Sequence, residues 1–125
     1  MNSAKILIVE DEKDLADAVS FRLKASGYAV ISASDGQEGF DKAKKENPDL
    51  IILDLMLPKM DGYKICGLLK KDVRFAKIPV IVFTAKAQQE DIQLGEELGA
   101  DAYIIKPFDA QVLIAKIEEL LKKSA

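Results

Sequence analysis

Five short apolar runs alternate along this chain with segments of helical period, and few folds accommodate that order. The runs are Ile6-Leu7-Ile8-Val9, Tyr28-Ala29-Val30-Ile31, Leu50-Ile51-Ile52-Leu53, Val80-Ile81-Val82-Phe83 and Ala102-Tyr103-Ile104-Ile105. They are rich in β-branched residues, and four of the five are almost continuously apolar, as strands buried on both faces must be. Between them, Leu15/Ala18/Val19/Leu23, Phe40/Ala43, Ile65/Leu68/Leu69, Ile92/Leu94/Leu98 and Leu113/Ile114/Ile117/Leu121 are spaced mostly by three or four, which places each set on one helix face. Local stop signals agree. Gly27 can end the first helix, Asp35 with Glu38 forms a capping-box pair, Asn47-Pro48 ends the second helix, and Asp109 can cap the last. Strands joined by crossover helices require a parallel sheet covered on both sides. The expected fold is a single doubly wound (βα)5 α/β domain over residues 1–125, because 125 residues hold one core and leave no linker or repeat.

The residue inventory removes several chemistries. The chain has no histidine, so Ser-His-Asp triads, Cys-His pairs and imidazole metal sites are excluded. Its single cysteine, Cys66, cannot close an internal disulfide, and no apolar leader begins the sequence. A cytoplasmic location is expected. With 18 basic and 21 acidic side chains the net charge is -3, which gives no basic excess for a phosphate backbone or an anionic bilayer. Neither direct nucleic-acid binding nor membrane association is expected, and no apolar run approaches the roughly 20 residues of a bilayer span.

Ligands of doubly wound sheets bind beyond the carboxyl ends of the strands. Here those ends carry Glu10-Asp11-Glu12, Asp54, Thr84 and Lys106-Pro107. Two unit negative charges about 5 Å apart repel by roughly 3 kcal/mol at an effective dielectric near 20, which a divalent cation would offset. With oxygen ligands alone, Mg²⁺ or Mn²⁺ is the fitting ion, held by a few carboxylates and open to a phosphoryl oxygen. Carboxylates are ionised at neutral pH, so Asp54 could attack phosphorus in line without a general base and form an acyl phosphate. Thr84 and Lys106 would then stabilise two further phosphoryl oxygens. Taken singly, each of these residues has a structural reading. Glu10-Asp11-Glu12 suits a solvated helix start, Asp54 a turn, Thr84 a strand end, Lys106 the surface, and Tyr103 a packed strand position. Their convergence at one set of strand ends favours the chemical reading.

The segments Leu7-Ile8-Val9-Glu10-Asp11-Glu12, Asp49 to Pro58 with Asp61-Gly62, Val82-Phe83-Thr84-Ala85, and Gly99 to Phe108 resemble the receiver domains of two-component response regulators, the chemotaxis regulators among them. Thr84 lies 30 positions after Asp54, and Lys106 lies 22 after Thr84. The resemblance covers nearly the whole chain and implies the flavodoxin-like strand order 2-1-3-4-5. It also implies phosphorylation at Asp54, with Mg²⁺ (or Mn²⁺) held by Glu10, Asp11, Asp54 and the backbone carbonyl of Met56. By the same resemblance Thr84 is the switch hydroxyl, Lys106 the phosphate-binding lysine, Tyr103 the aromatic that follows the switch, and Lys106-Pro107 a cis bond. Met56 and Lys86 match positions that tune phosphoryl lifetime.

The implied function is a signalling phosphoacceptor whose only catalysis is its own phosphotransfer and slow dephosphorylation. The donor would be a sensor histidine kinase or histidine phosphotransfer protein. The output would be a changed surface on the fourth helix, fifth strand and fifth helix, acting on a downstream protein or a fused output domain. The chain would be a monomer or a phosphorylation-dependent dimer. Ala102 and Lys116 stand where receivers that dimerise through this face often carry an acid and an arginine, a departure that counts against that mode. Rival readings remain at this point. A flavin or nucleotide carrier would need a phosphate-cradling loop where the chain has Glu10-Asp11-Glu12. An Asp-nucleophile phosphatase would carry a second aspartate at the Met56 position, and a degenerate receiver would serve only as a scaffold.

Overall fold

The computed structural model describes residues 4–54, 62–84, 99–105 and 109–124. Five strands, β1 (Lys5–Val9), β2 (Ala29–Ala33), β3 (Leu50–Asp54), β4 (Val80–Thr84) and β5 (Ala102–Ile105), form one sheet in the order β2-β1-β3-β4-β5. Every adjacent pair is parallel. The expected order is therefore observed. Four helices are described: α1 (Lys13–Ala25), α2 (Gly36–Glu46), α3 (Gly62–Lys71) and α4 (Ala110–Ser124). The segment expected to form a helix around Ile92, Leu94 and Leu98 lies outside the described residues.

Alternation along the strands divides the core in two. Leu7, Val9, Ile51, Leu53, Val80 and Val82 face Ala43 of α2 and Ile65, Cys66 and Leu69 of α3. Ile6, Ile8, Leu50, Ile52, Ile81 and Phe83 face Val19 and Leu23 of α1 and Leu113, Ile117 and Leu120 of α4. Because both faces are covered, the central strands bury every apolar residue, which is why they read as continuous runs rather than as alternation. The edge strand β2 is different, with Ala29 and Ser32 exposed.

The ends of the elements follow local chemistry. Asp35 Oδ1 accepts from the Glu38 amide at 2.8 Å, while Glu38 Oε1 accepts from the Ser34 amide at 2.7 Å. The reciprocal arm of this capping box thus reaches one residue further back than its usual target. Asn47 ends α2 in the left-handed region with φ 52°, and Gly27 ends α1 with φ 97°. Asp109 Oδ1 accepts from the Gln111 amide at 2.8 Å before α4. Each described helix ends in basic residues, namely Arg22 and Lys24, Lys44 and Lys45, Lys70 and Lys71, and Lys122 and Lys123. Helices that return antiparallel to the strands deliver all of these to the amino-terminal rim of the sheet.

Two contacts were not legible beforehand. A Cβ on Gly39 would lie 2.8 Å from both Val9 Cγ atoms, so only glycine lets α2 approach β1 this closely. Lys70, which the sequence suggests is solvated, has a side chain only 14% exposed. Its ammonium donates to the Ile78 carbonyl at 2.7 Å, to Asp101 Oδ2 at 2.9 Å and to the Ala76 carbonyl at 3.3 Å. Asp101 Oδ2 also accepts from the Val80 amide at 2.8 Å. The end of α3 and the starts of β4 and β5 are therefore bound together at the amino-terminal rim.

Candidate phosphoacceptor site

The register of the two central strands builds the site. Val9 of β1 is the Cα partner of Leu53 of β3, so Glu10 and Asp54 occupy the next rung, at the carboxyl end of the sheet. The Glu10 amide extends the ladder by donating to the Ala33 carbonyl at 3.0 Å, and its Oε2 accepts from the Glu12 amide at 2.9 Å. That bond folds the turn over the end of β1 and holds Asp11 at its crest, where it is exposed. Glu10, Asp11 and Asp54 each contribute a carboxylate oxygen to a set lying within 4.8 Å of one another.

Glu10 and Asp54 are 2% and 3% exposed, the only buried charged side chains among the described residues. At 4.8 Å each pair of unit charges repels by about 3 kcal/mol at an effective dielectric near 20. The set is built entirely of oxygen donors, with one member open to solvent, and this fits a hard divalent cation that keeps part of its water shell. The three acidic residues expected to share a metal are thus brought together. Thr84 ends β4, with Ile105 of β5 as its partner, while Asp54 pairs with Phe83, so Thr84 stands one rung beyond the aspartate on the adjacent strand. Tyr103 is half-buried and packs against the α2 and α3 side of the core. The expectations for Met56, Lys86, Lys106 and Pro107 fall outside the described residues, and those for Thr84 concern a side chain that is not described.

Comparison with known proteins places this geometry in a family. The family described as response regulator receiver domain matches residues 6–118. This chain belongs to the response regulator receiver family. It is 45% identical over 122 residues to the alkaline phosphatase synthesis transcriptional regulatory protein PhoP of Bacillus subtilis, covering 96% of the chain and 49% of that relative. It is 44% identical to the DNA-binding dual master transcriptional regulator RpaA of Synechocystis, covering 96% of the chain and 50% of the relative. Among solved structures, the receiver domain of a signal transduction histidine kinase from Syntrophus aciditrophicus is similar, with a TM-score of 0.91 and 36% identity, covering 97% of this chain and 92% of that one.

The receiver domain spans about half the length of the curated relatives it matches. It is a signalling domain of the two-component type, and a phosphoacceptor role fits the family. The expectation that nucleic acid is not a partner gains no support from relatives named as transcriptional regulators. Among the described residues, no helix is long and apolar enough to cross a membrane.

Proposed function

We propose that Asp54 accepts a phosphoryl group from a phosphohistidine on a sensor kinase or histidine phosphotransfer protein. The supporting observation is the buried Asp54 carboxylate held within 4.8 Å of those of Glu10 and Asp11 at the carboxyl rim of a parallel sheet. An Asp54 oxygen attacks phosphorus in line as the P–N bond breaks, and the departing electron pair returns to the donor's imidazole nitrogen. The product is an acyl phosphate. Burial at the end of β3 would restrict the rotamers of Asp54 and orient the attacking oxygen before the donor arrives. Glu10, Asp11 and Asp54, with the Met56 carbonyl, would hold Mg²⁺, and the bound ion would offset charge on the transferring group. Lys106 would take a second phosphoryl oxygen, and the Thr84 hydroxyl a third.

In this reading, drawing Thr84 toward the phosphoryl group frees space for Tyr103, and the surface around β5 and α4 changes shape for a downstream protein or a fused output domain. Slow self-hydrolysis resets it. The lone Cys66 and the kinase chemistry both suit a cytoplasmic setting. Incubation with Mg²⁺ and acetyl phosphate should give a base-labile adduct of one phosphoryl group by intact mass, absent from Asp54→Asn. An adduct of equal yield on the Asn variant would overturn Asp54 as the acceptor, and no adduct on either would favour a silent scaffold.

A further inference from the structure

A cavity of about 380 Å³ opens at the amino-terminal rim, at the opposite end of the strands from the carboxylates. That volume falls within the range of roughly 300 to 1,000 Å³ usual for small-molecule sites. Its walls come from four places in the chain: the end of α3, the turn before β4, the start of β5 and the last turns of α4. Three ammonium groups, those of Lys70, Lys77 and Lys123, line it against one carboxylate, that of Asp101.

These groups are not equivalent. The three donors of Lys70 are taken by Ala76, Ile78 and Asp101, and the carboxylate of Asp101 is engaged by Lys70 and by the Val80 amide. Both therefore act as fixed wall. Lys77 is exposed and makes no ion pair among the described residues. Lys123 is 72% exposed and only loosely attached, 3.6 Å from Glu119 Oε1. The apolar lining is Ala76, Pro79 and Leu120, the last two buried. The cavity thus offers two exposed cations above a small apolar floor, and its one carboxylate is already paired with Lys70.

We infer that this rim cavity binds a small organic anion, its apolar body resting on Pro79 and Leu120 and its phosphate or carboxylate head held between Lys77 and Lys123. A bare inorganic ion would use the cations but not the floor, so the ligand class is an anion with an attached ring or short chain. The inference is independent of phosphorylation at Asp54, and its test contains no phosphoryl donor.

The test is titration of the ¹⁵N-labelled protein with phenyl phosphate in metal-free buffer, followed through backbone amide shifts. Saturable shifts confined to Lys77, Val80, Asp101 and the last turn of α4 are expected, with inorganic phosphate binding more weakly. The double variant Lys77→Glu/Lys123→Glu should lose about tenfold in affinity. Lys71→Glu, an exposed change on the same rim that does not line the cavity, should leave affinity unchanged. Absence of saturable shifts, equal weakening by Lys71→Glu, or equal binding of inorganic phosphate would each overturn the assignment.

Discussion

At the scale of single residues, two positions decide more than their chemistry suggests. Gly39→Ala gains about 1 kcal/mol of helix propensity, but the new methyl meets Val9 at 2.8 Å, and overpacking of that kind costs roughly 1 to 3 kcal/mol. We expect net destabilisation by urea denaturation. Val9 precedes Glu10, so Mg²⁺ affinity should also fall. Burial raises the Cys66 thiol from about 9 to about 11, since the thiolate would be desolvated there. A group raised in the folded state supports stability fully below its unfolded pKa and loses that support as pH climbs toward the folded one. Stability should therefore decline between about pH 9 and 11 in wild type and less so in Cys66→Ala, read from urea midpoints across that window. The sequence displays the acids of the site through their convergence at the ends of separate strands, since one acid after one apolar strand reads equally well as a turn. It does not display the need for glycine at position 39, since a close approach between helix and strand depends on tertiary placement.

At the scale of elements, periodicity and caps locate the five strands and the four described helices to within a few residues, because burial on two faces and helix-end chemistry are local in sequence. Lys70 shows where that logic fails. A lysine in the last turn of a helix ordinarily complements the dipole from solvent. Here it turns inward to serve three acceptors on two later segments, and only the acid at Asp101, ahead of β5, hints at this. Lys70→Met leaves those acceptors without their cation and should cost about 2 kcal/mol in urea denaturation. Faster amide exchange at Asp101, whose N–H donates to the Val80 carbonyl at 2.9 Å, should accompany it. An unchanged midpoint would mean that the ammonium is dispensable and that solvent satisfies the acceptors.

At the scale of the whole molecule, the parallel sheet sorts charge by direction, with the carboxylate set at one rim and the basic last turns of the helices at the other. Mg²⁺ binding only the folded form should add about 2.7 kcal/mol at one hundred times its dissociation constant, or roughly 10 °C in thermal midpoint. Asp11→Asn, an exposed change, should fold normally and lose most of that increment by scanning calorimetry. The strand order itself was available only through family resemblance, since right-handed crossovers narrow the possible topologies without choosing among them. The turns at Gly27 and Asn47, left-handed bends at the end remote from Asp54, make natural grafting points. An epitope or fluorophore spliced into either would ride on the protein as a passenger, letting phosphorylation be followed without touching the chemistry being watched.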